Sequence, residues 1–221
     1  EFGKKAIDIP EFVRKEEVPP SNQIFDVSNN ELTTIWNKLD IYKETHKIWE
    51  VRFPVLPDIL FGVGVLEHVG RRAKGLNVTK ACLIADEVMD KLGFTGRIQK
   101  LLKQQEIGAV VFSDVKPDPP VDEIEKIGQF YIQNGCDGII AIGGGSSMDA
   151  AKAAGVRVSF MGELSEFDVG VGGSAKINKP LPPIICIPTT SGTGSEANQW
   201  AVITDEKRDL KFIIMSNFLI P

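Results

Sequence analysis

Short apolar runs alternate with longer stretches whose apolar residues recur every three or four positions, and this alternation fills residues 50–155. The runs Lys80–Ala85, Ala109–Phe112 and Ile139–Ile142 predict buried strands. Between them, Gly64–Lys74, a short piece closed near Gly93, Thr95–Gln105 and Val121–Gln133 predict helices, the last with Ile124, Ile127 and Phe130 on one face. Strands separated by helices of this length imply parallel pairing with right-handed crossovers. The expected fold is therefore α/β and Rossmann-like, with a mainly parallel sheet and helices on both faces.

The pattern differs at the two ends. Residues 1–27 are charged, carry Pro10, Pro19 and Pro20, and show little periodicity, which suggests an extended arm. Residues 28–47 predict one amphipathic helix, with Ser28 and Glu31 as a capping box and Leu32, Ile35, Trp36, Leu39 and Tyr42 on one face. That face is a candidate contact for a homo-oligomer. Val51–Phe61, broken by Pro54 and Pro57, predicts antiparallel edge strands at the start of the domain. Beyond Gly162 the periodicity lapses into a glycine-rich loop. Strands are then expected at Pro183–Ile187, Trp200–Thr204 and Leu210–Met215, the last two flanking a turn at Asp205–Asp209. The division expected is thus 1–49 as an N-terminal extension and 50–221 as the α/β domain.

Composition narrows the function classes. A net charge of −5 argues against a nucleic-acid or anionic-membrane surface. No run approaches the length of a membrane span. Cys82, Cys136 and Cys186 are dispersed, and two of them sit inside apolar runs, which suits a reducing, cytoplasmic setting. The only histidines, His46 and His68, are isolated, so no cluster with metal-ligand spacing is present.

Two loops carry the candidate chemistry. In Ile139–Gly155 an apolar run breaks at Gly143, Gly144 and Gly145, then resumes as an Ala-rich helix with Ser146 or Ser147 as a natural cap. Glycines there permit positive φ and close approach of a ligand, and a helix start favours a phosphate. The spacing is neither a P-loop nor G-x-G-x-x-G, because Met148 stands where a small residue would be needed. The second loop, Pro188–Glu196, sets Thr189, Thr190, Ser191, Thr193 and Ser195 at the carboxyl end of a strand, where open α/β sheets bind ligands. An acid about 20 residues beyond the glycines, as in the usual fingerprint, would be Glu163 or Glu166.

The stretch GGGSSMDAAK together with PTTSGTGSE resembles the iron-dependent, or group III, alcohol dehydrogenases over about Phe53–Pro221. Glycerol dehydrogenases and dehydroquinate synthases share a similar glycine turn. The resemblance implies that Gly144, Gly145 and Ser146 hold the NAD pyrophosphate, while Thr189, Thr190 and Asn198 line the ribose regions. Lys211 would reach a ribose hydroxyl, and Asp149 and Lys152 belong to the motif. It further implies that Asp86, rather than Glu163 or Glu166, accepts from the adenosine ribose and favours NAD over NADP; a plain helix cap is the other reading of Asp86.

In that family one Asp and three His residues bind Fe²⁺ or Zn²⁺ in a helical second domain, which is expected to be absent from residues 1–221. No metal ligand and no catalytic residue is therefore assigned, and the chain alone is not expected to turn over a substrate. The activity implied is reversible hydride transfer between NAD and a small alcohol or aldehyde. A related polyol dehydrogenase, or a non-catalytic nucleotide-binding or assembly module, remain as alternatives.

Overall fold

The computed structural model describes residues 57–221. A four-stranded parallel sheet is formed by β1 (Lys80–Ala85), β2 (Gly108–Phe112), β3 (Gly138–Gly143) and β4 (Ile184–Pro188), in the order β2-β1-β3-β4. All its strands are parallel, with Ala85 opposite Ile142 and Gly143 opposite Pro188, so their carboxyl ends share one edge.

Two faces follow from the period-two alternation along the strands. Cys82 and Ile84 of β1, with Ile139 and Ala141 of β3, pack against helices α4 (Val121–Gln133) and α5 (Gly145–Ser159). The intervening Ala81, Leu83 and Ala85, with Ile140 and Ile142, pack against α1 (Val69–Gly75) and α3 (Phe94–Lys103). Strand β3 is apolar at nearly every position because both its faces are covered. A five-residue helix, α2 (Glu87–Lys91), links β1 to α3.

Two departures from the sequence pattern stand out. Residues 57–61, the described part of Val51–Phe61, form no strand. Pro57 lacks the amide a ladder needs, and the adjacent residues lie outside the described ones, as do the arm and the helix expected at 28–47. Antiparallel pairing occurs instead in a separate hairpin, β5 (Trp200–Asp205) with β6 (Leu210–Met215), which packs on α5. The glycine-rich stretch after Gly162 is not a plain loop either. It winds through three short 3-10 turns, Leu164–Phe167, Val169–Val171 and Gly173–Lys176, with Leu164 and Phe167 buried. Gly173 lies against the Phe167 backbone, where any side chain would collide.

Candidate nucleotide site

The chain passes from β1 outward to β2 and then returns to the other side of β1 as β3. The sheet's switch point thus lies between β1 and β3, and the crevice there is where such sheets bind ligands. Asp86 follows β1, and the glycine turn follows β3, so both flank that crevice.

At the glycine turn, Gly143 has φ +145°, and a Cβ on it would collide with Ser147 Oγ and stand 3.1 Å from Asp86 Oδ2. Only glycine suits that position. Helix α5 starts at Gly145, two residues earlier than a Ser146 cap would allow and three earlier than a Ser147 cap. Its N-cap is Gly144, and no side chain caps it. Ser146 and Ser147 are the second and third helical residues, and the first amides of the helix have no intrahelical partner. Unpaired amides at the positive end of a 15-residue helix are suited to an anion.

The threonine loop closes over this turn. Thr189 N–H donates to Gly143 O at 2.9 Å. A Cβ on Gly144 would sit 3.3 Å from Thr190 Oγ1, and one on Gly145 would sit 3.1 Å from Thr193 Cγ2. The missing side chains at Gly144 and Gly145 therefore serve loop-to-loop packing. Ser146 Oγ accepts from Asp118 N–H at 3.3 Å, which ties the turn to the loop after β2.

Asp86 does two things. Its Oδ1 accepts from Met89 N–H at 2.9 Å and caps α2, while Oδ2 faces the glycine turn. Glu163 and Glu166 lie at the other end of α5, about 22 Å away for 15 residues at 1.5 Å rise. There they cap a 3-10 turn, and Glu166 pairs with Lys176, so the spacing argument fails for both. That argument counts residues without knowing that this helix runs straight away from the crevice.

Beneath the loop, α5 contributes two ionisable groups. Asp149 is 8% exposed, and its Oδ2 accepts from Val202 N–H of β5 at 3.0 Å. Burial pushes the carboxyl pKa up, opposed by the Val202 amide, the nearby Ser195 hydroxyl and Lys152. Ser195 is close enough to act on the charge, yet no hydrogen bond of normal geometry reaches Asp149 Oδ1. Lys152 is 0% exposed, and burial holds its pKa below the usual lysine range. Its ammonium donates to Asn198 O and Asn198 Oδ1, both at 2.8 Å, and to Trp200 O at 3.2 Å.

Lys211, on β6, reaches the same region through a partner that sequence reasoning missed. Its Nζ pairs with Asp118 Oδ1 at 2.7 Å, and both side chains are exposed. The signal was present in the Pro117-Asp118-Pro119-Pro120 turn, which holds Asp118 at φ +54°. The structure thus gathers Asp86, Gly144, Gly145, Ser146, Thr189 and Thr190 at one sheet edge. Asp149 and Asn198 lie just below, and Lys211 is linked through Asp118.

An open parallel sheet with an uncapped helix start at its switch point defines a Rossmann-like α/β domain. The chain belongs, more narrowly, to the iron-containing alcohol dehydrogenase family, whose sequence profile matches residues 57–221. It is 41% identical over 160 residues to the choline dehydrogenase of Bacillus subtilis (strain 168), covering 72% of this chain and 40% of that protein. The NAD-dependent methanol dehydrogenase of Bacillus methanolicus is 31% identical over 169 residues, 76% of this chain and 43% of that protein. Among solved structures, an alcohol dehydrogenase from Oenococcus oeni superposes with a TM-score of 0.70 at 34% identity, over 76% of this chain and 43% of that one. The chain spans about two-fifths of the length of these relatives.

Proposed function

We propose that this chain supplies the cofactor-binding part of an NAD-dependent, metal-dependent alcohol dehydrogenase that interconverts a small alcohol and its aldehyde or ketone. The observation that carries the reading is the uncapped start of α5 at Gly144–Gly145–Ser146, packed beneath Thr190 and Thr193 at the carboxyl edge of the sheet. Support comes from the relatives, which include an NAD-dependent methanol dehydrogenase.

NAD, when bound, supplies the hydride acceptor for the alcohol carbon. The residues described here bind and orient it. The first amides of α5 take the pyrophosphate, with the helix dipole adding to their pull. Asp86 Oδ2 accepts from a ribose hydroxyl and repels a 2′-phosphate. Thr189, Thr190 and Asn198 line the ribose regions, and Lys211 reaches a ribose hydroxyl by giving up part of its pairing with Asp118.

Iron or zinc enters the proposal through the family alone. Among the described residues no group of three His, Cys, Asp or Glu side chains is placed to hold a metal ion, so they do not fit the metal, and no step through it follows from them. Residues 50–221 form the NAD-binding domain in this reading. Residues 1–49 are the N-terminal extension of this reading, and the amphipathic face expected there is its candidate homo-oligomer contact. Three free cysteines agree with a cytoplasmic setting. No helix among the described residues is long and apolar enough to cross a membrane.

The test uses the intact protein with NAD, added Fe²⁺ or Zn²⁺ and a panel of short alcohols, following NADH absorbance. Metal-dependent NADH formation is expected with at least one alcohol. Failure to bind NADH in a fluorescence titration would sink the reading.

A further inference from the structure

Lys152 is the one lysine side chain with no solvent exposure among the described residues, and the hydride-transfer reading gives it no task. An ammonium has three donors and no acceptor. All three are used here, on Asn198 O, Asn198 Oδ1 and Trp200 O. Charged donors of this kind are worth burying only when fully partnered.

The arrangement fixes the Asn198 amide without ambiguity. The terminal atom that faces Lys152 also faces Trp200 N–H at 3.1 Å, and both of those groups can only donate. The atom between them must therefore be the carbonyl oxygen, so the NH₂ group points the other way. Asn198 Nδ2 makes no hydrogen bond with any described residue and is not among the buried unpartnered atoms. The residue is half-buried, at the root of the loop that closes over the glycine turn. A free amide would turn about its last bond and offer oxygen and nitrogen in equal measure. This one offers only N–H.

We infer that Lys152 is a positioning residue, which locks the Asn198 carboxamide so that Nδ2 donates to an acceptor oxygen of the bound dinucleotide. The proposal rests on the dinucleotide reading of the site and adds the direction of the hydrogen bond and the residue that sets it. A second consequence is selectivity by polarity. The ligand group at Asn198 must be an acceptor, such as a carboxamide or ribose oxygen, and a ligand that presents only a donor there leaves the buried side of the cleft unpaired.

The experiment measures NADH dissociation constants by fluorescence for the intact protein, Lys152→Met, Asn198→Asp and the double variant. Urea unfolding of each accompanies the titrations. Asn198→Asp keeps an oxygen for Lys152 and Trp200 but replaces the donor with an acceptor. It is expected to keep its stability and to lose about tenfold or more in affinity, as befits a hydrogen bond of about 1.5 kcal/mol. Lys152→Met is expected to lose similar affinity, and the double variant should be no weaker than Asn198→Asp alone, because both changes act through one amide. Additive losses in the double variant, or parental affinity in Asn198→Asp, would overturn the positioning role even if Lys152→Met folds poorly. A parent that binds no NADH overturns the dinucleotide reading itself, and the inference falls with it.

Discussion

Asp86 carries two duties on two oxygens, and single substitutions separate them. Asp86→Asn retains an acceptor for Met89 N–H but removes the charge facing the glycine turn. Its stability should stay near that of the parent, while the preference for NAD over NADP should fall roughly tenfold. Asp86→Gly should show the same loss of preference and also lose up to a few tenths of a kcal/mol, since glycine replaces a side-chain cap at modest cost. Affinities for both cofactors, with urea unfolding of each variant, check this. An unchanged ratio in both variants would reduce Asp86 to a helix cap. Gly143 makes a sharper case, because its φ of +145° and the Ser147 hydroxyl beside it both exclude a Cβ. Gly143→Ala should destabilise by more than about 1 kcal/mol and weaken NADH binding together. Among residues, the glycines and threonines were legible as motifs. For Asp118 only the turn was legible, in Pro117-Asp118-Pro119-Pro120; its role depends on that loop meeting a turn 28 positions later, which the local pattern does not encode.

Helix α5 explains why the usual fingerprint is absent. Met148 stands where G-x-G-x-x-G needs a small residue for close helix–strand contact, and here it is fully buried in the core beneath the sheet. The side chain fills space that the other arrangement closes up. Met148→Ala should therefore leave a cavity costing about 2–5 kcal/mol, measured by urea unfolding; a change under 1 kcal/mol would mean the site collapses freely. The same helix carries a pH signature. Burial raises the Asp149 pKa above its ordinary 3.8, so the folded state binds the proton more tightly than the unfolded state. Stability should then fall as pH rises from about 3.8 through the raised folded value, and the full penalty should be present above it. Asp149→Asn, which still accepts from Val202 N–H, should lack that descent. Parallel pH profiles for parent and variant from pH 3.8 upward would refute it. The start of α5 lies two or three residues before the sequence expectation, in which Ser146 or Ser147 is the cap. The helix instead begins at Gly145 and leaves its amides free, a feature set by the threonine loop packing above it.

At the scale of the whole domain, the order of strands and helices was readable because β1 and β3 are apolar on both faces and α4 shows a clear helical period. The hairpin's separation from the main sheet was not readable. Period-two alternation in Trp200–Met215 marks a half-buried pair but does not say which surface covers it. Native-state hydrogen exchange should follow the same division. Amides of Leu83, Ile84, Ile140 and Ala141, at the centre of the sheet with both faces covered, should exchange most slowly. Slower exchange in β5–β6 would place the stability centre in the hairpin instead. The hairpin's attachment has a mechanical consequence. Helix α5 meets the glycine turn at its first residue and grips Val202, Asn198 and Trp200 with Asp149 and Lys152 one to two turns later. The floor of the crevice and the wall beside it are thus joined through one helix, so an opening stroke that admits or releases a ligand must carry α5, Asn198, Trp200 and Val202 together.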